Sequence, residues 1–220
     1  MPTLLLRLCG PMQSWGTRSR FTERDTELEP SKSGVIGLLC AALGRQRGES
    51  VDDLSALRMG VRVDHEGALA RDYHTAGART GIARADGSLS KDAVVSNRYY
   101  LADADFLVGL EGSDRGLLDE LDAALRAPRW QLFLGRKSFP PGLPLYLPES
   151  GIRDADLETA LASEPLPLRP LAFAQSGDRQ PLRYVIQREP GATAEVRMDQ
   201  PIGAAFLERN FGPRWVETRF

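Results

Sequence analysis

The chain alternates between short apolar runs and segments in which apolar side chains recur with helical spacing. Residues 3–9 form an apolar run that ends in Gly-Pro, which is typical of a buried strand. Apolar side chains in residues 35–43 follow helical spacing, with Ser31 before them as a start signal and Gly44 after them as a C-terminal cap. These patterns predict a strand followed by an apolar helix.

Further helices and strands are predicted on both sides of a long segment that has no regular pattern. Residues 71–98 show no periodicity and are rich in Gly, Ala, Thr, Arg and Ser. This stretch is too long for an ordinary connection, so it is either functional or disordered. Around it, the pattern predicts a short helix at 51–57, strands at 59–65, 99–110 and 130–134, and an amphipathic helix at 117–125.

The order strand, helix, strand, insertion, strand, helix, strand is that of a βαββαβ unit. Residues 1–140 are therefore predicted to form an α+β, ferredoxin-like (RRM-like) domain, with the insertion at about 71–98 in its central β–β connection. Residues 141–220 are expected to form a small C-terminal subdomain. Within it we expect an acidic helix near 154–162 and strands at 182–187 and 194–198.

Composition places the 220-residue chain among ordinary globular proteins. Its 42% hydrophobic and 26% charged residues suffice for a sizeable core, and its net charge of −2 gives no global basic footprint. Positive charge is nevertheless clustered, because residues 126–140 hold four basic groups and no acid. Such a cluster can bind a polyanion in a protein that is nearly neutral overall.

Several classes of protein are disfavoured by the same sequence. The two cysteines, Cys9 and Cys40, lie among apolar residues without CxxC spacing, so we expect buried thiols rather than metal ligands. The start MPTLLLRLCG is too short for a signal peptide, and no apolar run approaches the roughly 20 residues that cross a bilayer. We expect a reducing, cytoplasmic setting and no membrane partner.

The segment that enters the first helix has the chemistry of an anion site. The first N–H groups of a helix lack internal partners and attract negative charge. Lys32 adds a cation, Ser31 and Ser33 add hydroxyl donors, and Gly34 allows a phosphate to approach the backbone closely. The alternative is that Ser31 merely caps the helix.

Two other polar segments offer similar chemistry. The loop before the helix carries Trp15 among several arginines, either as part of a binding surface or as a core plug beside surface ion pairs. The stretch LGRKSFPPG places Arg136, Lys137 and Ser138 at a predicted strand end, where the alternative is a solvated basic loop.

An enzymatic interpretation depends on His74. Tyr73 precedes it, and Tyr, His and Lys together can cleave RNA without metal, with His as the general base. His65 lies in phase with two valines and is expected to be structural. The sequence has no acidic metal cluster, P-loop or Ser/His/Asp pattern. We therefore expect no enzyme, no cofactor and no metal, with a metal-independent endoribonuclease as the alternative.

Five segments together resemble one family. LRLCGPMQSWG, SRFTERDT, PSKSGVIGLLCAALG, DYHTA and LGRKSFP are similar, in this order, to the CasD family. These are the fifth-class Cas subunits of type I-E CRISPR Cascade, within the repeat-associated (RAMP) superfamily. The resemblance runs from about residue 4 to residue 140 and continues more weakly beyond. It implies a ferredoxin-like core with a protruding β-hairpin thumb at 71–98.

The resemblance also implies a non-catalytic role and a set of partners. Such a subunit holds the 5′ handle of the guide crRNA, caps the filament of CasC backbone subunits, docks the large CasA subunit and meets target DNA only through the complex. Repeat cleavage belongs to the separate CasE subunit. The equivalent subunit of a related subtype does cleave repeat RNA, so the enzymatic alternative becomes an endoribonuclease that processes CRISPR repeat RNA. The residues predicted to contact RNA are Gln13, Ser14, Trp15, Arg20, Arg24, Ser31, Lys32, Ser33, Gly34, Tyr73, His74, Arg79, Arg98, Arg136, Lys137 and Ser138.

Overall fold

A computed structural model describes residues 1–17, 22–77, 81–83, 87–90, 92–167 and 181–220. The architecture is mixed α/β with mostly antiparallel sheets. The helices are α1 (Lys32–Leu43), α2 (Asp52–Ser55), α3 (Arg115–Arg126), α4 (Leu157–Ser163) and α5 (Ala205–Glu208). The strands are β1 (Thr3–Cys9), β2 (Met12–Gln13), β3 (Glu23–Arg24), β4 (Arg58–His65), β5 (Ala68–Ala76), β6 (Ile82–Ala83), β7 (Leu89–Ser90), β8 (Val94–Ala102), β9 (Asp105–Glu111), β10 (Ile152–Arg153), β11 (Arg183–Arg188), β12 (Glu195–Pro201) and β13 (Phe211–Arg219).

The main sheet has seven antiparallel strands in the order β10-β1-β9-β4-β11-β13-β12. Strand β9 is buried along its whole length, and Leu4, Leu6 and Leu8 of β1 join the large core cluster on the α1 side. Leu5 points to the opposite face, where it packs with residues of α4. Strands covered on both faces read as continuous apolar runs, which explains why β1 is visible in the sequence.

Helix α1 occupies the predicted position because its signals are local. The Ser31 Oγ accepts a hydrogen bond from Gly34 N at 3.3 Å, and Gly44 ends the helix at φ 77°. Eight of its twelve residues are buried, since it packs against α3, α2 and β12 as well as the sheet. The prediction of an apolar helix ending at Gly44 is confirmed.

A second sheet is built on a long hairpin of β5 and β8. The two strands pair antiparallel over nine residue pairs, from Ala68↔Ala102 to Ala76↔Val94. Short strand β2 pairs antiparallel with β8, and β3 pairs parallel with it. Asp103, with φ 58°, turns the chain between β8 and β9. The prediction of one strand over 99–110 is therefore wrong, because that stretch belongs to two strands in two sheets.

The predicted strand at 130–134 is also wrong. Arg129 N and Trp130 N donate to Ala42 O and Ala41 O, so this segment begins by packing along the C-terminal end of α1. The sheet position beside β1 is taken instead by β10 and by Tyr146, which bridges to Leu6.

The C-terminal strands extend the main sheet. Strand β11 pairs with β4, β13 pairs with β11, and β12 forms the edge. The division of the chain at about residue 140 stays a prediction, and the sheet itself continues across it. Among the described residues, no helix has the length and apolar character needed to cross a membrane.

Candidate nucleic-acid interface

A cleft of about 700 Å³ lies where the N-terminal end of α1 meets three loops and the C-terminal segment. Its walls come from residues 14–16, 24–25, 31, 33–34, 135–136, 206, 209 and 211. Those before residue 137 belong to the three polar segments that stand out in the sequence. The fold brings them together.

Trp15 forms the floor of the cleft rather than an exposed platform. Its side chain is 1% exposed, and its Nε1 donates to Gln13 Oε1 at 3.2 Å. The Gln13 amide is itself enclosed and donates to Leu8 O and Ala104 O at 3.0 and 2.8 Å. Of the two interpretations of Trp15, the core plug is the one realised, and the Gln13 side chain is enclosed with it. Contact of these two residues with RNA stays a prediction.

Two glycines allow the cleft walls to approach one another. A Cβ on Gly34 would lie 2.8 Å from Trp15 Cε3. The indole ring therefore fills the space beside Gly34, and this space is not available to a phosphate. Gly135 has φ 86°, and a Cβ there would lie 1.7 Å from Ser14 O. Ser14 N donates to Leu134 O at 3.1 Å, which joins the two loops.

Lys32 is fully buried, so the prediction of an exposed cation at this position is wrong. Its Nζ donates to Ser55 O at 2.7 Å and to Gln187 Oε1 at 3.0 Å. Burial, together with the nearby positive charge of Arg214, lowers the pKa of Lys32 to about 7, although the carboxylate of Asp199 acts in the opposite direction.

Within the described part of the chain, one N–H group in the first turn of α1 lacks an acceptor. Lys32 N donates to Asp199 Oδ2 at 2.7 Å, and Gly34 N donates to Ser31 Oγ. Among the described residues, Ser33 N has no acceptor, and Ser33 lines the cleft. The helix end is therefore partly capped, as the alternative interpretation of Ser31 held, and its remaining donor belongs to a residue of the cleft wall.

Buried ion pairs fix this helix end against the C-terminal strands. Glu29, which is 5% exposed, pairs with Arg183 at 2.9 Å and with Arg197 at 3.3 Å. Asp199 pairs with Arg214 through two contacts of 2.8 Å. We call these five residues the C-terminal clamp, because they tie the chain on either side of Pro30 to β11, β12 and β13.

Arginines crowd the opposite wall. Arg24 and Arg98 are register partners on adjacent strands, and Arg136 Nη2 donates to Tyr99 O at 2.9 Å. The Arg136 guanidinium lies 5.4 Å from the ring centre of Phe139. Burial and the positive charges of Arg98 and Arg24 lower the pKa of Arg136. A polyanion in the cleft would relieve this repulsion.

The C-terminal wall was missed by the sequence reasoning. Phe206, Arg209 and Phe211 line the cleft, with Arg209 exposed at φ 56°. The two rings lie 6.1 Å apart at 61°. The only signal was the aromatic and basic composition of FLERNFGPRW, which did not indicate where this segment packs.

The remaining predicted residues lie elsewhere. Tyr73 and His74 are on the β5–β8 hairpin, where Tyr73 is 66% exposed and His74 Nδ1 lies 3.3 Å from Asp72 Oδ2. Lys137 and Ser138 are exposed and are not among the residues lining the cleft. Arg20 and Arg79 lie outside the described residues. Within the described part of the chain, no three His, Cys, Asp or Glu side chains converge as metal ligands do.

Comparison with known proteins gives consistent similarities. A family model described as CRISPR-associated protein (Cas_Cas5) matches residues 3–217. The chain is 38% identical over 158 residues to the CRISPR system Cascade subunit CasD of Escherichia coli (strain K12), covering 66% of this chain and 69% of that protein. A solved structure described as a crystal structure of a Cas protein has 46% identity and a TM-score of 0.76, over 99% of this chain and 93% of the other. A second, from a CRISPR RNA-guided surveillance complex, has 34% identity and a TM-score of 0.77, over 99% and 89%.

Proposed function

The chain belongs to the Cas5 family of CRISPR-associated proteins, and on that basis we propose that it is the Cascade subunit that holds the 5′ handle of the guide crRNA. In this role it is a non-catalytic part of type I-E Cascade and acts in the cytoplasm in antiviral defence. It caps the CasC backbone, docks CasA and meets target DNA only through the complex. The name of the E. coli relative supports the assignment to Cascade.

The observation that carries the proposal is the crowding of positive charge beside a helix N–H that has no acceptor among the described residues. Arg24 and Arg136 line the same cleft as Ser33, and Arg98 lies next to Arg24 on the adjoining strand. Repelling cations and a backbone donor suit a phosphodiester, which accepts hydrogen bonds from both. The site therefore favours a nucleic-acid backbone over a neutral ligand.

The fold supports the finer architectural part of the proposal. Strands β10, β1, β9 and β4 with helices α1 and α3 correspond to the ferredoxin-like unit, in which β9 lies between β1 and β4. The β5–β8 hairpin corresponds to the thumb. It exposes Leu69 and Tyr73, which are 60% and 66% accessible and would be covered by the guide RNA and the neighbouring CasC subunit.

Handle binding is tested with the full chain and a labelled RNA that carries the repeat-derived handle. The double variant Arg24→Gln/Arg136→Gln should bind more weakly, and its slope of log affinity against log salt should become shallower by about 0.7 for each phosphate that is no longer neutralised. Arg47→Gln is the matched control, because Arg47 is exposed beyond the opposite end of α1. Equal slopes for wild type and double variant would contradict the assignment.

The endoribonuclease alternative has one supporting observation, the contact of His74 with Asp72 on the hairpin. A carboxylate in this position can orient a histidine base. Incubation of the purified chain with labelled repeat RNA and a chelator separates the two functions. We expect intact RNA, whereas specific cleavage that His74→Ala abolishes would establish the enzyme.

A further inference from the structure

The C-terminal wall of the cleft differs in chemistry from its cationic wall. Phe206 and Phe211 are half-buried, line the cleft and have ring planes tilted at 61°. Because of this tilt, a planar group lying flat on one ring meets the edge of the other, which is the favoured geometry for aromatic contacts. The exposed Arg209 stands between them in the sequence and adds a cation at the same wall.

Helix α1 sets the spacing between the two walls. Its Gly34 and Gly37 lie three residues apart, which is about 4.5 Å along the helix axis. The Ser33 N–H and the Trp15 ring lie at the first of these glycines, and a Cβ on Gly37 would lie 3.4 Å from Phe206 Cζ. Ser33 and the Phe206 ring therefore lie against successive turns at the same end of α1.

We propose that Phe206 and Phe211 form a nucleobase subsite, so that the cleft holds one unstacked RNA nucleotide with its phosphate at the Ser33 end. This inference rests on the proposed function and adds to it a position at which the base, and not only the backbone, contributes to binding. Aromatic rings stack on any base, so we expect binding at this subsite to require a base but to depend little on which base it is.

The same chemistry excludes a purely apolar occupant. Arg24, Arg136 and Arg209 all line the cleft, and Asp25 is the one carboxylate among the lining residues of the described chain. An apolar peptide would supply no anion for these guanidinium groups, whereas a nucleotide supplies an anion for them and a flat ring for the phenylalanines.

The test uses handle RNAs that each lack one base, prepared with an abasic residue at successive positions, and measures their affinity for the full wild-type chain. One position should lose about tenfold or more when its base is removed, since a stacked base contributes on that scale. Phe206→Leu keeps an apolar side chain and removes the ring face. It should bind the intact RNA about tenfold more weakly and should no longer distinguish intact from abasic RNA at that position.

Phe220→Leu is the matched control, because Phe220 is 81% exposed and lies outside the cleft lining. It should keep the full discrimination. The abasic series on the wild-type chain needs no variant, so the proposal is overturned if no position is sensitive, whatever the stability of Phe206→Leu. It is also overturned if Phe206→Leu folds and still binds intact RNA more tightly than the RNA that lacks the base at the sensitive position.

The two proposals fail in different ways. If the abasic series is flat while Arg24→Gln/Arg136→Gln still weakens binding relative to Arg47→Gln, the base subsite is wrong and handle binding stands. If wild type and Arg24→Gln/Arg136→Gln bind the handle RNA with equal affinity and equal salt slopes, the handle proposal itself fails, and the subsite proposal fails with it.

Discussion

Replacing Lys32 with Met should change how the stability of the protein depends on pH. In the folded chain Lys32 is enclosed, with hydrogen bonds to Ser55 O and Gln187 Oε1, and its pKa is lowered to about 7 from an ordinary value of 10.5. Between these two values the unfolded chain binds a proton at Lys32 that the folded chain does not. The free energy of unfolding therefore rises with pH in this window.

The size of the effect follows from the two pKa values. Below about pH 7, Lys32 is protonated in the folded and in the unfolded chain, and the buried charge lowers the free energy of unfolding by its full amount. This loss of stability disappears as the pH rises towards 10.5. The slope is at most about 1.4 kcal/mol per pH unit. From about pH 7.5 to 9 it amounts to about 2 kcal/mol for this one group.

Urea unfolding of wild type and Lys32→Met, followed by circular dichroism at several pH values, measures the slope. The stability of wild type relative to the variant should increase by about 2 kcal/mol across that interval. Groups that titrate in both proteins cancel in the difference, including Cys40, where burial raises the thiol pKa to about 11. Lys137→Met, which removes an exposed lysine, should run parallel to wild type. Parallel profiles for wild type and Lys32→Met would refute the assignment of a neutralised buried lysine.

Three further outcomes are expected. Trp15→Ala should lower the free energy of unfolding by about 3–5 kcal/mol in urea titrations, because it empties the space beside Gly34; a loss under about 1 kcal/mol would mean that the ring is not part of the core. Gly135→Ala should lower the melting temperature and weaken handle binding, since its Cβ overlaps Ser14 O, and an unchanged melting curve would contradict this geometry. Replacing residues 71–98, the predicted thumb, with a short Gly-Ser link should leave the isolated chain folded, as judged by its far-ultraviolet spectrum, but block co-purification with CasC and guide RNA, because residues 70 and 99 lie close together on paired strands. Normal co-purification would argue against the hairpin as the thumb.

Local signals made part of this fold predictable. Helix α1 begins and ends where Ser31 and Gly44 indicate, because both caps act on neighbouring residues. Strand β1 was visible because both of its faces are covered. By contrast, most residues of the β5–β8 hairpin are exposed or half-buried, so its strands lack the alternation that marks a strand lying on a core.

The candidate site was only partly predictable, since its environment is set by distant partners. Nothing near Lys32 in the sequence indicates burial, because Ser55, Gln187 and Asp199 reach it only through tertiary packing. Trp15 and Gly34 were both noted, but their contact depends on the fold of the intervening loop. Arg136 was predicted and lies in the cleft, while Phe206 and Phe211 gave no pattern by which their role could be inferred.

The C-terminal clamp has a consequence for the order of events on the ribosome. The bond from Lys32 N to Asp199 spans 167 positions, and Glu29 likewise depends on Arg183 and Arg197. Since synthesis proceeds from the N-terminus, α1 emerges long before the strands that fix its first turn. A nascent chain carries most of the cationic wall while its cleft is still open on one side. A chain released early, without β12 and β13, therefore carries the arginines but not the complete cleft.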